Sequence, residues 1–445
     1  MDRMLESIYG ISKSELGGYA KHLMLGGGTR PAPVLVKGKG CWVEDIDGKR
    51  YLDCTSQSWA LYLGHANDDI NRVVCEHLEN LGHVHQGFDT LPRFALAKKL
   101  AELAPEGLNR VSFTVGGGPA VEAAMKIAIK NREGAQEFLC LYDSYHGNTL
   151  GVLGGSWVST MASGTFMGGA RFNRLTRQFI RVPNPYCYRC PLGLKPEGCG
   201  MMCLTILRLT IEKGVNGPVA GIIVEPLQAS GGQIVFPREY LEGLRRVCDE
   251  FGIVLIYDEI QTYARIGTYF AAGYYGVHPD IIALGKGLGA GFPIGAIVIH
   301  DRLEGFSPDS EELHTFANNS VSQVAGLKLI ELLEGGVLDN CNRMGAYIRD
   351  GLEAIRKDFP EIGDIRQAGL HIGVELVKDP VTKEPDAGLM SAARKQGMMN
   401  GILFGVGGVK KNVLKIKPPL IIARGEADTV LELFRKSLHE GRERP

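Results

Sequence analysis

Four short stretches of the 445-residue chain hold reactive side chains where ordinary packing would not put them. In Leu284-Gly285-Lys286-Gly287-Leu288-Gly289 a lysine follows an apolar run and is flanked by glycines. Desolvation lowers a lysine's pKa, and the neutral amine is the form that condenses with an aldehyde to a Schiff base. The plainer reading is a loop lysine that snorkels to water. In Asp258-Glu259-Ile260-Gln261 a carboxylate ends the apolar run IVLIYD. In low dielectric it needs a metal, a protonated ring nitrogen or another partner, unless it only caps a helix. Gly116-Gly117-Gly118-Pro119 follows RVSFTV and opens a helix. Its backbone N–H groups can converge on an anion, or the glycines can simply make a tight turn. Tyr145-His146-Gly147 follows FLCLYD, so an aromatic ring there either stacks on a planar ligand or packs under a loop.

Each stretch alone has an ordinary explanation. Together they supply a phosphate cradle, a stacking ring, an acid for a pyridinium nitrogen and an amine for an aldehyde. Pyridoxal 5′-phosphate (PLP) needs all four, and few other ligands need the set.

The elements that must position these residues are legible as period and composition. Short β-branched runs at 110–115, 138–143, 179–182, 219–225, 253–258, 281–284 and 294–299 read as strands. They alternate with amphipathic stretches at 119–131, 201–214 and 238–251 that read as helices. Continuous apolar strands alternating with helices predict an α/β fold whose mainly parallel sheet is covered on both faces. Ligands of such sheets sit beyond the carboxyl ends of the strands. Residues 32–53 read as short strands joined at Asp47-Gly48, a hairpin signal. Beyond residue 320, helices near 321–334 and 341–357 and a strand-like 364–376 predict a smaller α+β lobe. The expected division is an N-terminal segment over 1–65 that contributes to the small domain and the pocket, a large PLP-binding domain over 66–320 and a small domain over 321–445.

Lys plus Arg number 49 against 50 Asp plus Glu, so no bulk field would gather nucleic acid or an anionic membrane. No apolar run is long enough to span a bilayer, and the first residues lack a signal peptide's apolar core, so a cytoplasmic location is expected.

With these residues in view, the chain resembles the class III (ω or subgroup II) aminotransferases, PLP enzymes of fold type I, from about residue 30 to the end. The resemblance rests on LGH at 63–65, YHG at 145–147, VEP at 224–226, DEIQT at 258–262, KGLGAGFPIGA at 286–296 and KPPL at 417–420. It implies a seven-stranded-type sheet in the large domain and roles for individual residues. Lys286 would form the Schiff base and shuttle the catalytic proton. Asp258 would keep the pyridine nitrogen protonated, and Gln261 would hydrogen-bond the ring's 3-oxygen. Tyr145 or His146 would cover the ring, Gly117 and Gly118 would hold the phosphate, and Thr315 would reach the phosphate of a neighbouring subunit. That last role implies a homodimer with shared active sites and leaves a tetramer open.

Departures from the family pattern fall in the substrate pocket. The family's phosphate loop reads SGSEA and here it is GGGPA; HTFxGNP here reads HTFANNS. Where many members have EPxQxEGG, this chain has Glu225-Pro226-Leu227-Gln228-Ala229-Ser230-Gly231-Gly232, so a serine replaces the second acid. The arginine of VLRIxPPL, which clamps a carboxylate, is replaced by Lys415 in Val413-Leu414-Lys415-Ile416-Lys417. Lysine offers a point charge in place of a bidentate fork, and a point charge also suits phosphate. Trp59 falls where the family's amino-terminal segment enters the pocket and is read as a substrate wall. With Glu225 and Lys415 it completes the expected substrate-binding set.

The expected activity is transfer of an amino group from an amine or amino acid to a 2-oxo acid such as pyruvate or 2-oxoglutarate. A phospho-lyase, an amino-acid racemase or epimerase and a decarboxylating transaminase are alternatives within the family. LKIKPPL is similar to the phospho-lyase branch, and VELVKDPVTKEP to dialkylglycine decarboxylase, which shares the serine at 230. A non-catalytic scaffold is the alternative of another class. Cys187, Cys190, Cys199 and Cys203, spaced C-x2-C and C-x3-C, would suit zinc, a disulfide or a loop of reduced thiols, and no metal is assigned.

Overall fold

The computed structural model of the chain describes residues 9–24, 32–160, 172, 178–308 and 311–443. Three strands come first, β1 (Leu35–Lys39), β2 (Trp42–Asp45) and β3 (Arg50–Cys54). Then follow β4 (Leu108–Thr114), β5 (Glu137–Leu141), β6 (Phe179–Val182), β7 (Val219–Val224) and the short pair β8 (Leu227–Gln228) and β9 (Ile234–Val235). After them run β10 (Val254–Asp258), β11 (Ile281–Leu284) and β12 (Gly295–His300), and finally β13 (Ile362–Ala368), β14 (His371–Leu376), β15 (Ile402–Gly407) and β16 (Val413–Ile416). The longer helices are α1 (Asp68–Leu78), α2 (Leu91–Leu103), α3 (Gly117–Lys130), α4 (Met202–Lys213), α5 (Arg238–Phe251), α6 (Ser320–Leu332), α7 (Leu338–Arg356), α8 (Ala387–Asn400) and α9 (Arg424–Arg442).

A seven-stranded sheet runs in the order β4-β12-β11-β10-β7-β5-β6. It is parallel except for β12, which pairs antiparallel with both β11 and β4. This is the mostly parallel sheet expected of fold type I. Its central strands β7, β10 and β11 are buried along their whole length. Strand alternation divides their side chains between two apolar layers. Ile223, Ile256 and Ala283 pack with the alanine-rich face of α3. Ile222, Leu255 and Tyr257 pack on the other side with Leu241 and Leu244 of α5. Burial on both faces is why these segments read as unbroken apolar runs.

A second seven-stranded sheet has the order β1-β2-β3-β15-β16-β14-β13. The amino-terminal hairpin turns at Asp47-Gly48, with Gly48 at φ 81°, and β3 then pairs parallel with β15, Leu52 opposite Ile402. The stretch expected as one strand-like segment, 364–376, is a hairpin of β13 and β14 closed by Gly369 at φ 52°. No helix among the described residues is long and apolar enough to cross a membrane.

Candidate active site

The carboxyl ends of five parallel strands meet around one cavity of about 360 Å³, within the size range of small-molecule sites. It is lined by Gly117, Gly118, Tyr145, His146, Glu225, Asp258, Gln261 and Lys286, together with Gly147, Asn148, Thr149 and Ile260. These residues lie on five loops far apart in sequence, and the sheet brings them together because every loop leaves the carboxyl end of its strand.

Lys286 follows β11 through Gly285 and opens a 3-10 turn, Lys286–Gly289, in the left-handed region at φ 43°. Such a conformation in a non-glycine residue is held only where the surroundings over-determine it. Its desolvated ammonium is held below the ordinary lysine range, against the opposing pull of Asp258 and Glu225. Asp258 is the last residue of β10 and is buried. Its Oδ2 lies 2.8 Å from His146 Nδ1, and its Oδ1 accepts the Ile260 N–H at 3.2 Å. Glu225 is buried just past β7; its Oε1 accepts the Tyr145 N–H at 2.9 Å and its Oε2 the Ala229 N–H at 3.0 Å. Burial pushes its pKa upward, and the neighbouring Asp258 adds to that.

The glycine floor is built for close approach. A Cβ on Gly117 would come 2.8 Å from Ile260 Cδ1, and one on Gly118 would come 3.1 Å from Thr149. Both glycines begin α3, whose first N–H groups have no intrahelical acceptor. A phosphate fits that cradle, an aldehyde fits the Lys286 amine and a protonated ring nitrogen fits the Asp258 carboxylate, so the residues present fit PLP.

The remaining expected residues divide into two groups. Trp59 is half-buried on a turn in which Ser56, Gln57, Ser58 and Trp59 all have positive φ, from 42° to 68°. Asp53 anchors this turn through Thr55 and Gln57, and Arg265 anchors it through Ser56 Oγ. Lys415 is 1% exposed, with its Nζ 4.5 Å from the Trp59 ring centroid. Neither Trp59 nor Lys415 lines the cavity itself, and Thr315 is exposed and also outside it.

Two relationships escaped the sequence reading. His146 does not present its ring to the cavity as a free face but is buried against Asp258. Lys417 is fully buried and donates to Gln261 Oε1 at 3.2 Å. The alternation Lys415-Ile416-Lys417 was the available signal for the second lysine. The four clustered cysteines line a separate cavity with Tyr186 and Pro237. All ten cysteines are free, and among the described residues no group of three or more His, Cys, Asp or Glu side chains is arranged to hold a metal.

Comparison with known proteins agrees with this chemistry. The class-III aminotransferase family model matches residues 27–438. The chain is 35% identical over 430 residues to the adenosylmethionine-8-amino-7-oxononanoate aminotransferase of Geobacter sulfurreducens, covering 91% of this chain and 92% of that protein. It is 33% identical to the leucine/methionine racemase of Thermococcus litoralis, covering 92% of each. Among solved structures, an (S)-enantioselective ω-transaminase from Thermomicrobium roseum superposes with a TM-score of 0.85 at 29% identity, covering 97% of this chain and 99% of that one. The ω-transaminase of Pseudomonas jessenii in complex with PMP superposes with a TM-score of 0.86 at 26% identity, covering 96% and 98%.

Proposed function

The chain belongs to the class III aminotransferases, which use PLP, and on that premise we propose that it moves an amino group from an amine or amino acid to a 2-oxo acid such as pyruvate or 2-oxoglutarate. The observation that carries the reading is the convergence of Lys286 and Asp258 on one glycine-floored cavity. When bound, the cofactor supplies an aldehyde for amines and a ring that accepts the electron pair released at the substrate Cα.

This chain's residues do the rest. The amine of Lys286 would hold the cofactor through its aldehyde and would be the base that moves the substrate's Cα proton. Desolvation favours its neutral form, which is the form able to take that proton. Asp258, accepting from His146, holds the proton on the ring nitrogen. Gln261 has its carbonyl oxygen engaged by Lys417, which leaves the amide N–H groups to donate to the ring's 3-oxygen. Gly117 and Gly118 hold the phosphate through backbone N–H groups, and Tyr145 covers the ring with its backbone fixed by Glu225. Trp59, Glu225 and Lys415 bound the substrate.

Assembly as a homodimer, with Thr315 reaching the phosphate of a neighbouring subunit, completes the reading. It is supported by two exposed apolar side chains, Phe316 beside that threonine in the chain and Phe88. Asn318 ties this region together by donating to the Phe88 carbonyl at 2.7 Å.

The test is a half-reaction. Purified holoenzyme receives single amines and amino acids with no oxo acid, and the visible absorbance of the cofactor is followed. A stoichiometric bleach that stops, and is restored by pyruvate or 2-oxoglutarate, is expected. Continuous turnover without an oxo acid, or release of phosphate or carbon dioxide as the main event, would overturn amino transfer in favour of the corresponding family alternative.

A further inference from the structure

Cys187, Cys190, Cys199 and Cys203 take no part in the proposed amino transfer, yet all four line one cavity of about 230 Å³. Cys187 is exposed and the other three are partly buried. Cys41, Cys54, Cys140, Cys248 and Cys341, by contrast, are buried, and thiols sealed in apolar surroundings are inert.

The backbone between the four is folded so that it returns on itself. Cys187 opens the 3-10 turn Cys187–Arg189, and the Gly193 N–H donates back to the Cys190 carbonyl at 3.0 Å. Cys199 starts a second turn, closed by the Met202 N–H on its carbonyl at 3.1 Å. Gly200 and Met201, the two central residues, have φ 57° and 54°, the arrangement of a type I′ turn. That turn reverses the chain into α4, where Cys203 is the second residue. The thiols also act on one another. Burial raises the Cys187 thiol, with Cys199 and then Cys190 adding to it. Burial pushes Cys203 up to about 11, with Cys187 and Cys199 adding to it. Cys187 and Cys199 are the two that recur in both relationships.

The segment that carries Cys187 is a strap between the two large sheets. Towards the active site, Asn184 donates to Asp143 Oδ2 at 3.1 Å and to Gln228 Oε1 at 2.7 Å. Towards the second sheet, Arg189 Nε donates to Glu375 Oε1 at 2.7 Å and the Tyr186 hydroxyl hydrogen-bonds the same carboxylate. Lys383 donates to the Tyr188 carbonyl at 3.2 Å. Cys187 therefore sits in the middle of the strap, and Cys199 sits at the turn that leads into α4.

We propose that Cys187 and Cys199 form a reversible dithiol–disulfide site, whose bond closes across the cavity and staples the strap to the start of α4. The co-reactant is a small-molecule disulfide. One protein thiolate attacks it, forms a mixed disulfide and expels one small thiol. The second protein thiolate then attacks the protein sulfur of that mixed disulfide and expels the other. Two electrons pass from the cysteines to the reagent, two S–H bonds of the protein become one S–S bond, and both protons leave on the two small thiols. A cross-link of this kind removes freedom from the unfolded chain, so the bonded form resists unfolding more than the dithiol. The inference stands apart from the amino-transfer reading and does not depend on it.

The holoenzyme is equilibrated in glutathione buffers of graded disulfide content, trapped with N-ethylmaleimide and digested without reduction, and its peptides are mapped by mass spectrometry. A Cys187–Cys199 peptide pair that forms with oxidised glutathione and is released by dithiothreitol is expected. Cys203→Ser should keep the pair and Cys199→Ser should lose it. The oxidised wild-type protein should unfold at a temperature about 2–4 °C above that of the reduced protein, and Cys199→Ser should show no such rise. A Cys187 that carries only glutathione, bonds Cys190 instead, or stays reduced in the most oxidising buffer overturns the proposal, whichever variants fold. A Cys187–Cys199 bond that leaves the unfolding temperature unchanged overturns its role as a staple.

Discussion

His146 Nδ1 stands 2.8 Å from Asp258 Oδ2, with both side chains buried. The imidazole therefore donates to the carboxylate that ends β10, and it does so from a residue 112 positions away. Its own backbone N–H is held by Ser156 Oγ at 3.0 Å, and its Nε2 is buried with no hydrogen-bond partner among the described residues. Of the adjacent Tyr145 and His146, it is the histidine that acts on the acid.

His146→Phe removes that donor from a buried carboxylate, a change worth about 1.5–3 kcal/mol. The expected result is a half-reaction slower by about 10- to 100-fold, with weaker cofactor retention and a largely unchanged fold. His146→Asn, which keeps a donor, should recover part of the loss. Stopped-flow absorbance with one amine donor measures both.

Asp258→Asn keeps the shape and removes the charge proposed to face the ring nitrogen. Loss of an electrostatic partner at a site of this kind slows chemistry by about 10²–10³-fold. The half-reaction should fall by that order, while circular dichroism and melting temperature stay near those of the parent. An unchanged rate would show that the ring nitrogen is held by another group.

Lys415 gives a pH signature of stability in the substrate-free protein. Its folded pKa of about 7 lies below the ordinary lysine value of 10.5. Between those two values the unfolded chain binds more protons than the folded one, so this group makes stability rise with pH across that window. Lys415→Met removes the contribution and should stabilise the substrate-free protein by about 1–4 kcal/mol at neutral pH. Urea unfolding followed from neutral to alkaline pH, parent against variant, checks the slope and the offset together.

Glu375 of β14 is the centre of a buried network. It meets Arg366 Nη1 at 2.8 Å and Arg189 Nε at 2.7 Å, accepts from Asn412 at 3.2 Å and is hydrogen-bonded by the Tyr186 hydroxyl. Burial alone would raise its pKa, but Arg366, Tyr186 and Arg189 outweigh it and hold the acid below the ordinary range. A depressed acid stabilises the fold above its unfolded pKa and loses that contribution as pH falls through the folded value. Glu375→Ala leaves Arg366 buried without this partner and should destabilise by about 3–5 kcal/mol. The variant should also lose part of the parent's acid sensitivity, read as the unfolding midpoint below pH 5 or so.

What the sequence determined by itself was local in origin. The apolar runs at 219–225, 253–258 and 281–284 are strands because residues buried on both faces of a sheet must be apolar throughout, and that rule needs no knowledge of neighbours. Asp258, Lys286 and the Gly116–Gly118 turn were visible because polar or glycine residues at the ends of such runs stand out one stretch at a time. Pairings between distant segments were decided by the tertiary structure alone. The parallel match of Leu52 with Ile402, the placing of His146 against Asp258 and the reach of Lys417 to Gln261 across 156 positions leave nothing in either partner that names the other. The reason is physical: which side chain satisfies a buried charge depends on the direction in which two separately folded segments meet, and that direction is set by packing rather than by the residues of either segment.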